Sequence, residues 1–284
     1  MAIIPFSDIS KQSNDIVSRD FFHGTPVALD LKTVAPNGVT FSAKGKTAGS
    51  AFSASLEAKY ADKASGLTFT QGWANNNLLS SKLELSDALA PGLKTELVST
   101  LIPGASKSAK LNTFYSHDAF HARAFVDLLK GPIFNGDFTI GQDGFTTGGA
   151  FTYDVKSANL TGYSAGIGYK APSYALALVA ANNLSVFSAG YYHKVSSQLE
   201  VGAKGTFDSK TSSTGTPVSI EVASKYALDS SAFVKTKLAD SGILTLAYQQ
   251  VLRPGVKVGF GGAFDTLKLG ESAHKLGLSL SFSA

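Results

Sequence analysis

An alternation of apolar and polar residues recurs through most of this chain, and it restricts the fold more than any other feature. In the final segment, Leu276, Leu278 and Leu280 fall at every second position, with Gly277 and Ser279 between them. Successive side chains of a β-strand point to opposite faces, so the pattern predicts strands with one apolar and one polar face. No helical pattern in the sequence is long enough to cover so many apolar faces. We therefore expect a closed barrel whose apolar faces meet lipid and whose polar faces line a wet lumen.

Turn signals divide the alternating pattern into about nineteen segments. Asn37-Gly38, Pro91-Gly92 and Pro254-Gly255 are examples, because these residue pairs favour tight turns. An odd number of strands would require the first and last strands to pair in parallel, since all sequential neighbours are antiparallel. The segments near the middle of the chain are weakly marked, and their count alone does not separate an even number from an odd one.

Composition favours a membrane barrel over a soluble domain. Only 16% of the residues are charged, against roughly 25% in soluble domains. The longest apolar run, near residues 174–181, is far shorter than the ~20 residues of a membrane-spanning helix.

The absence of cysteine excludes disulfides and thiol chemistry. A net charge of +4, with both signs interspersed, is too small to indicate a nucleic-acid partner. The first residues lack a basic region and a long apolar region, so we expect no secretory signal peptide.

We expect residues 1–25 to form a unit separate from the barrel, which comprises residues 26–284. They favour a short amphipathic helix that begins near Ser7 and ends at a hinge near Gly24 to Pro26. Two placements stay open for it, on a surface against a core or inside the lumen. Its charged and apolar arcs lie on opposite sides, with Asp8, Lys11, Asp15 and Arg19 on the first and Phe6, Ile9, Ile16 and Val17 on the second.

The stretch from Tyr226 to Tyr248 carries a more specific pattern. Its spacing and residue types resemble the eukaryotic mitochondrial porin family, the voltage-dependent anion-selective channels, and the fungal type in particular. The closing strand is similar to the C-terminal assembly signal of mitochondrial outer-membrane barrels, in which Lys275, Gly277, Leu280 and Phe282 occupy the characteristic positions. The matching positions of the longer stretch are Tyr226, Asp229, Ser230, Ala232, Thr236, Lys237, Leu238, Ala239, Asp240, Thr245, Leu246 and Tyr248.

This resemblance implies an all-β transmembrane barrel of about 19 strands, antiparallel except for a parallel first and last pair, with the N-terminal helix in the lumen. It implies a voltage-gated, weakly anion-selective diffusion pore of the mitochondrial outer membrane that passes small ions and metabolites such as ATP and ADP. The implied partners are the lipid bilayer, the mitochondrial import and barrel-assembly machinery, and further copies of the chain in a homo-oligomer. Neither a cofactor nor an enzymatic activity is implied.

Two other interpretations stay open from the residues alone. A general bacterial-type porin would usually have an even number of strands and end in an aromatic residue. A soluble β-barrel binding module would need a second layer over the outward apolar stripes, which uniform short hairpins do not supply.

Strand phase assigns the charged side chains to the predicted lumen. Thirteen cations and eight acids fall on the polar faces, which gives the wall a net charge of +5. We expect these charges, with Lys11 and Arg19 of the helix, to set ion selectivity and to sense voltage. The cations are Lys32, Lys44, Lys46, Lys59, Lys82, Lys94, Arg123, Lys204, Lys225, Lys235, Lys237, Lys257 and Lys275, and the acids are Asp30, Glu57, Glu84, Glu96, Asp137, Asp154, Glu200 and Glu221.

Three further features need an interpretation. Gln71 and Trp73 fall on the predicted lipid face, and the resemblance places Gln71 where animal members commonly carry a glutamate. Gly92-Leu93-Lys94 is similar to a motif proposed to contact nucleotide in the family, although a turn entering a strand is the simpler explanation of three residues after a proline. His117 and His121 have a zinc-like spacing on a helix, but here they straddle a predicted turn, so we expect no metal site.

Overall fold

The computed structural model describes residues 3–48, 51–129, 131, 133–211, 217–271 and 274–283. Within these ranges nineteen strands form one sheet. The strands are β1 (Val27–Val34), β2 (Thr40–Ala48), β3 (Ala51–Asp62), β4 (Leu67–Ala74), β5 (Leu79–Ser86), β6 (Leu93–Ile102), β7 (Ser106–Ser116), β8 (Phe120–Asp127), β9 (Ile133–Gln142), β10 (Phe145–Asp154), β11 (Asn159–Lys170), β12 (Tyr174–Ala181), β13 (Val186–Lys194), β14 (Leu199–Asp208), β15 (Val218–Ala227), β16 (Ala232–Ala239), β17 (Ile243–Arg253), β18 (Val256–Asp265) and β19 (Lys275–Ser283).

The sheet closes on itself through its first and last strands. Each strand pairs antiparallel with the next along the chain, while β1 and β19 pair in parallel, with Val27 opposite Leu278 and Leu31 opposite Phe282. A closed sheet leaves no backbone edge exposed to lipid, which is what a bilayer requires of a β-structure. The predicted 19-strand barrel with one parallel pair is confirmed.

Apolar side chains cover the outside of the barrel instead of filling a core. Leu56, Trp73 and Leu178 are 49%, 53% and 59% exposed, although large apolar side chains are usually buried in soluble proteins. They belong to one outward face that continues around the barrel in the register of the strand pairs. An apolar surface of this extent is typical of a membrane protein.

The N-terminal segment lies inside the barrel. It consists of a 3-10 turn (Phe6–Asp8), the helix α1 (Lys11–Ser18) and a second 3-10 turn (Phe22–Gly24). The helix packs against β12–β15, and the second 3-10 turn against β17–β19. No helix among the described residues is both long and apolar enough to cross a bilayer.

The helix begins four residues later than the sequence predicted. The Ser7 hydroxyl donates to the Asp8 carboxylate at 3.1 Å and does not cap the helix. Ser10 is the residue before the helix, and its Oγ accepts a hydrogen bond from the Asn14 side chain. The interruption places Ile9 against the wall at Gly168. A contact with the wall therefore overrides the helical pattern of the first turn.

Candidate functional site

The polar face of the wall is the inner face. Ser13 and Ile16 of the helix pack onto Gly190 and Gly202, and Gly202 shares its strand phase with Glu200 and Lys204. The same phase runs through every strand pair, so all thirteen cations and eight acids assigned from the sequence lie on the lumen side. That count left out other strand charges on the same face, among them Lys110, Lys170 and Lys194 and the acids Asp127, Asp208 and Asp265. Lys110 lies opposite Val98 on the same face, and the alternation of β7 could have identified it.

The lumen face of β1–β3 carries six charged residues, which we call the lysine arc: Asp30, Lys32, Lys44, Lys46, Glu57 and Lys59. All four lysines are exposed. Within the described part of the chain, none of the six takes part in an ion pair shorter than 4.0 Å. Four lysines and two acids give the lysine arc a net charge of +2. These lysines can act on permeating ions because no ion pair among the described residues neutralises them, although Asp30 lies across the strand pair from Lys44.

The lumen face of β5 and β6 carries a second group, the tetrad of Lys82, Glu84, Lys94 and Glu96. Lys82 Nζ lies 2.5 Å from Glu84 and 3.2 Å from Glu96. Lys94 Nζ lies 3.1 Å and 2.7 Å from the same two carboxylates. Both acids are more than 90% buried. The four charges therefore form a closed network with no net charge.

The tetrad also changes the interpretation of the Gly92-Leu93-Lys94 motif. Lys94 Nζ is occupied by Glu84 and Glu96, and it lies 5.7 Å from the centre of the Phe114 ring. Gly92 has a φ of +78°, and its N–H donates to Asp87 at 2.8 Å. The glycine is thus required by a turn. A nucleotide contact by these three residues stays a prediction.

Two more lumen cations are paired across strands. The Arg123 guanidinium donates to Asp137 at 2.7 Å, and Lys237 Nζ lies 2.8 Å from Glu221. On the N-terminal segment, Lys11 lies 3.1 Å from Asp8, an exposed pair that contributes little stability. Arg19 is the residue that ends the helix and is exposed to the lumen.

Lys235 has a different environment from the other wall lysines. The sequence placed it among the selectivity residues, and it does lie on the lumen face, but the N-terminal segment covers it so that 2% of it is exposed. Its Nζ donates to the backbone carbonyls of Asp15 at 2.9 Å and Arg19 at 2.7 Å. A cation is favourable at the carbonyl end of a helix. Lys235 therefore holds the helix to the wall.

The hinge after the helix is packed among lysines. The Phe21 ring lies 4.7 Å from Lys235 Nζ and 5.5 Å from Lys237 Nζ, within the range of cation–π attraction. Burial lowers the pKa of His23, and the positive charges of Lys237 and Lys275 lower it further. The neutral form of His23 is favoured because it adds no further positive charge beside these lysines.

Gln71 and Trp73 lie on the outer face of β4. Gln71 lies opposite Ala58 and Ser81, on the same face as Phe69. The Ser81 hydroxyl donates to Gln71 Oε1 at 2.5 Å, so the amide is partly satisfied by its cross-strand neighbour. This pairing could be found only once the strand register was known.

The closing strand divides the four residues of the predicted assembly signal between its two faces. Leu280 and Phe282 lie opposite Leu29 and Leu31 at the β1–β19 seam, facing outward. Lys275 and Gly277 face the lumen, opposite Ala263 and Gly261. His117 lies in the turn before β8 and His121 on its lumen face. Among the described residues, no three metal-ligating side chains come together.

Comparison with known proteins agrees with this architecture. The family described as "Eukaryotic porin" matches residues 3–277. A mutant of the porin of Rh. blastica has a similar fold, with a TM-score of 0.52, 10% identity, and coverage of 86% of this chain and 98% of that chain. That likeness concerns the barrel fold alone.

Relatives from fungi and vertebrates match from end to end. The chain is 55% identical to the mitochondrial outer membrane protein porin of Candida albicans, over 100% of both chains. It is 45% identical to the non-selective voltage-gated ion channel 1 of Saccharomyces cerevisiae, over 98% of both. Its identity to the non-selective voltage-gated ion channel VDAC2 of Meleagris gallopavo is 33%, over 100% of this chain and 96% of that protein. The chain belongs to the eukaryotic porin family.

Proposed function

We propose that this voltage-gated porin of the mitochondrial outer membrane prefers anions weakly and passes metabolites up to the size of nucleotides. The lysine arc is the observation that carries the proposal. It presents four exposed lysines to a lumen in which the described residues place the N-terminal segment with its short helix. Passage of ATP and ADP follows from pore size and charge, and needs no dedicated binding site.

The barrel is wide enough for such solutes. Strands spaced ~4.8 Å apart and tilted ~40° give a 19-strand barrel a backbone diameter of about 38 Å. Side chains on both walls reduce this to roughly 28 Å, and a helix of ~10–12 Å narrows the passage without closing it. Folded proteins would be excluded.

The anion preference should be weak because the pore is wide and wet. The Debye length is about 8 Å at physiological salt, so the lysine arc acts on only part of the cross-section. The tetrad adds nothing to the preference, because its two lysines are balanced by its two acids. A small net positive charge supports a preference between ions of opposite sign without excluding either.

Lumen charges also supply a voltage sensor. One charge that crosses the whole field gains ~2.3 kcal/mol per 100 mV. Two to three gating charges would therefore supply roughly 2.5 kcal/mol at 50 mV, enough to invert an equilibrium of that size. Lys11 and Arg19 are candidates for part of this charge. Either the helix or the wall could be the element that moves.

The proposed partners are the lipid bilayer around the apolar belt and small ions and anionic metabolites in the lumen. The import and assembly machinery would recognise the closing strand through Lys275, Gly277, Leu280 and Phe282. Assembly of the barrel into a homo-oligomer belongs to the proposal as well.

Conductance in a planar bilayer with a salt gradient tests the pore, its size and its ion preference together. We expect a large conductance at low voltage, a reversal potential on the anion side and partial closure as voltage rises. A closed membrane, or a reversal potential on the cation side, would contradict the proposal.

A disulfide between the helix and the wall separates the two gating mechanisms. A β-carbon at Gly202 would lie 3.5 Å from Ile16 Cβ, within the range of disulfides. Cysteines at these two positions would be the only thiols of the chain. Loss of voltage dependence on oxidation would show that the helix must leave the wall, and unchanged gating would assign the motion to the wall.

A further inference from the structure

We propose that small residues on the lumen face form a preshaped seat that fixes the N-terminal segment, and that Gly277 belongs to this seat as well as to the assembly signal. The seat consists of two rows of glycine and alanine on the lumen face, with Lys235 between them. Its members are positioning residues, because they touch the segment and not the permeating ions.

The first row lies under the helix. Gly168 is opposite Ala177, which is opposite Gly190. On β14 the row shifts by two residues, since Gly190 lies opposite Lys204, and it continues from Gly202 to Ala223. Ala177 and Ala223 are among the most buried residues of the barrel, at 5% and 2% exposure. At every one of these positions the wall lacks a side chain larger than a methyl group, and the helix occupies the space.

A methyl group on the glycines of this row would collide with the helix. At Gly190 it would meet the Ser13 side chain, and at Gly202 the Cγ2 methyl of Ile16. At Gly168 it would lie 2.9 Å from Ile9 Cγ2. The helix therefore sits closer to the wall than any residue with a β-carbon allows at these positions.

The second row lies under the hinge. Ala247 is opposite Gly261, and Gly261 is opposite Gly277. A methyl group at Gly261 would lie 2.7 Å from the backbone nitrogens of Phe22 and His23. Because these obstacles are backbone atoms, a change of side-chain rotamer cannot relieve the collision.

Lys235 lies between the two rows. It lies opposite Ala247 at the end of the second row, where its side chain rises from the wall to bind the carbonyls of Asp15 and Arg19. The glycines set how closely the segment approaches the wall, and Lys235 fixes its position along the wall.

Gly277 has a steric reason to be glycine that concerns the folded barrel. A methyl group there would lie 2.5 Å from the carbonyl oxygen of Thr25 and would also meet that of Phe22. The hinge leads directly into β1, and the backbone N–H of Leu278 donates to the Pro26 carbonyl at 2.9 Å. The last strand therefore completes the seat for the residues that precede the first strand.

Glycine is not required by the strands themselves. Gly205 lies on β14, three residues beyond Gly202, but faces outward, and a methyl group there would meet nothing within 4 Å. Gly202→Ala and Gly205→Ala thus add the same atom to the same strand on opposite faces. This pair provides a matched comparison.

Pulsed electron paramagnetic resonance on the refolded full-length barrel tests the seat. Spin labels on cysteines at Ser18, at the end of the helix, and Ser42, on the lumen face of β2, report the position of the helix in the pore. The chain has no other cysteine. We expect one narrow distance distribution for the parent, the same narrow distribution for the outer-face control Gly205→Ala, and a broadened, shifted distribution for Gly202→Ala.

Truncation of the helix side chain provides a rescue. Ile16→Ala removes the methyl that collides with residue 202, so combining it with Gly202→Ala should narrow the distribution relative to Gly202→Ala alone. A distribution that stays narrow in Gly202→Ala, or equal broadening in Gly205→Ala, would overturn the seat. Circular dichroism of each variant establishes that the barrel has folded.

Lys235→Met keeps the proposal testable if the glycine variants do not fold, because it retains the length of the side chain. It should broaden the same distribution. Lys225→Met is the control, since Lys225 lies opposite Lys235 and its Nζ packs over the Phe233 ring at 4.7 Å. Identical, narrow distributions in both variants would contradict the role of Lys235.

Refolding Gly277→Ala in detergent, without assembly machinery, isolates the second role of that glycine. We expect a folded barrel with a broadened Ser18–Ser42 distribution. A parent-like distribution would restrict Gly277 to the assembly signal.

Discussion

Two groups of lysines on the same wall have opposite electrostatic consequences. The lysine arc of β1–β3 and the tetrad of β5 and β6 share a strand phase and face the same lumen. The lysines of the arc are exposed and without ion pairs among the described residues, whereas both lysines of the tetrad contact both of its acids. A lysine on the lumen face therefore contributes to ion preference only where its cross-strand neighbours leave it unpaired.

Register explains the difference. In the tetrad the two acids lie directly opposite each other, Glu84 against Glu96, and each lysine is two residues away on one strand. This arrangement lets each ammonium group reach both carboxylates. In the lysine arc, Lys32, Lys46 and Lys59 have no acid across the strand pair. Lys44 lies opposite a single acid, Asp30, and forms no ion pair with it shorter than 4.0 Å.

Reversing the four lysines of the lysine arc should have the largest effect. Lys→Glu at all four positions changes the charge of the arc by eight units, from +2 to −6. We expect the ion preference to invert, with the reversal potential in a salt gradient moving to the cation side. A channel that still prefers anions would show that other charges determine selectivity.

A lysine on the outer face should act on stability instead. Gln71→Lys places a cation on the lipid side of β4, at a cost of ~2–4 kcal/mol near the bilayer midplane. Gln71→Leu should change the free energy of unfolding by less than about 1.5 kcal/mol, since it loses two hydrogen bonds of which the one to Gly72, at 3.4 Å, is weak. Denaturant titration in lipid vesicles measures both. Equal stability of the two variants would contradict the outward placement of Gln71.

Breaking the tetrad should produce a smaller loss of stability. Lys82→Gln leaves two mostly buried carboxylates with a single lysine. We expect a loss of about 1–2 kcal/mol, less than for a fully buried pair because the lysines are partly exposed. Lys59→Gln, in the lysine arc, is the control and should stay within about 0.5 kcal/mol of the parent. Equal losses in the two variants would argue against the network.

A single reversal in the lysine arc should give the smallest resolved shift. Lys59→Glu changes the wall by two charges, and we expect about a quarter of the reversal-potential shift of the fourfold variant, since screening limits coupling between separated charges. Leu56→Glu, on the outer face of the same strand, should leave ion preference unchanged in the channels that insert. Equal shifts from the two variants would refute the strand phase.

The fold could be predicted because it depends on local pattern. Alternation assigns each residue to a face of the barrel whatever its partners are, and short turns determine the order of the strands. The parallel seam required more than pattern, since it brings Val27 against Leu278 from opposite ends of the chain. The beginning of the helix was predicted wrongly, because wall contacts of Ile9 interrupt it before Lys11.

The site could be predicted only in part. Strand phase placed Lys82, Lys94 and Lys235 on the lumen face, but it could not show which partner each would find. The contact of Lys235 with Asp15 joins residues 220 positions apart, and the tetrad depends on the register between β5 and β6. The glycine seat under the helix could not be recognised from the sequence either. Gly205 faces outward and Gly202 inward on the same strand, and the sequence does not show which of them contacts the helix.

The most direct test compares two neutralised channels in one salt gradient. In the first, each acid of the lysine arc is replaced by its amide and each lysine by glutamine, which removes a net charge of +2. In the second, the four residues of the tetrad become glutamine, which removes no net charge. The account predicts that the reversal potential of the first channel moves toward zero while that of the second equals the parent's. Equal shifts in both channels, or a shift in the tetrad variant alone, would contradict it.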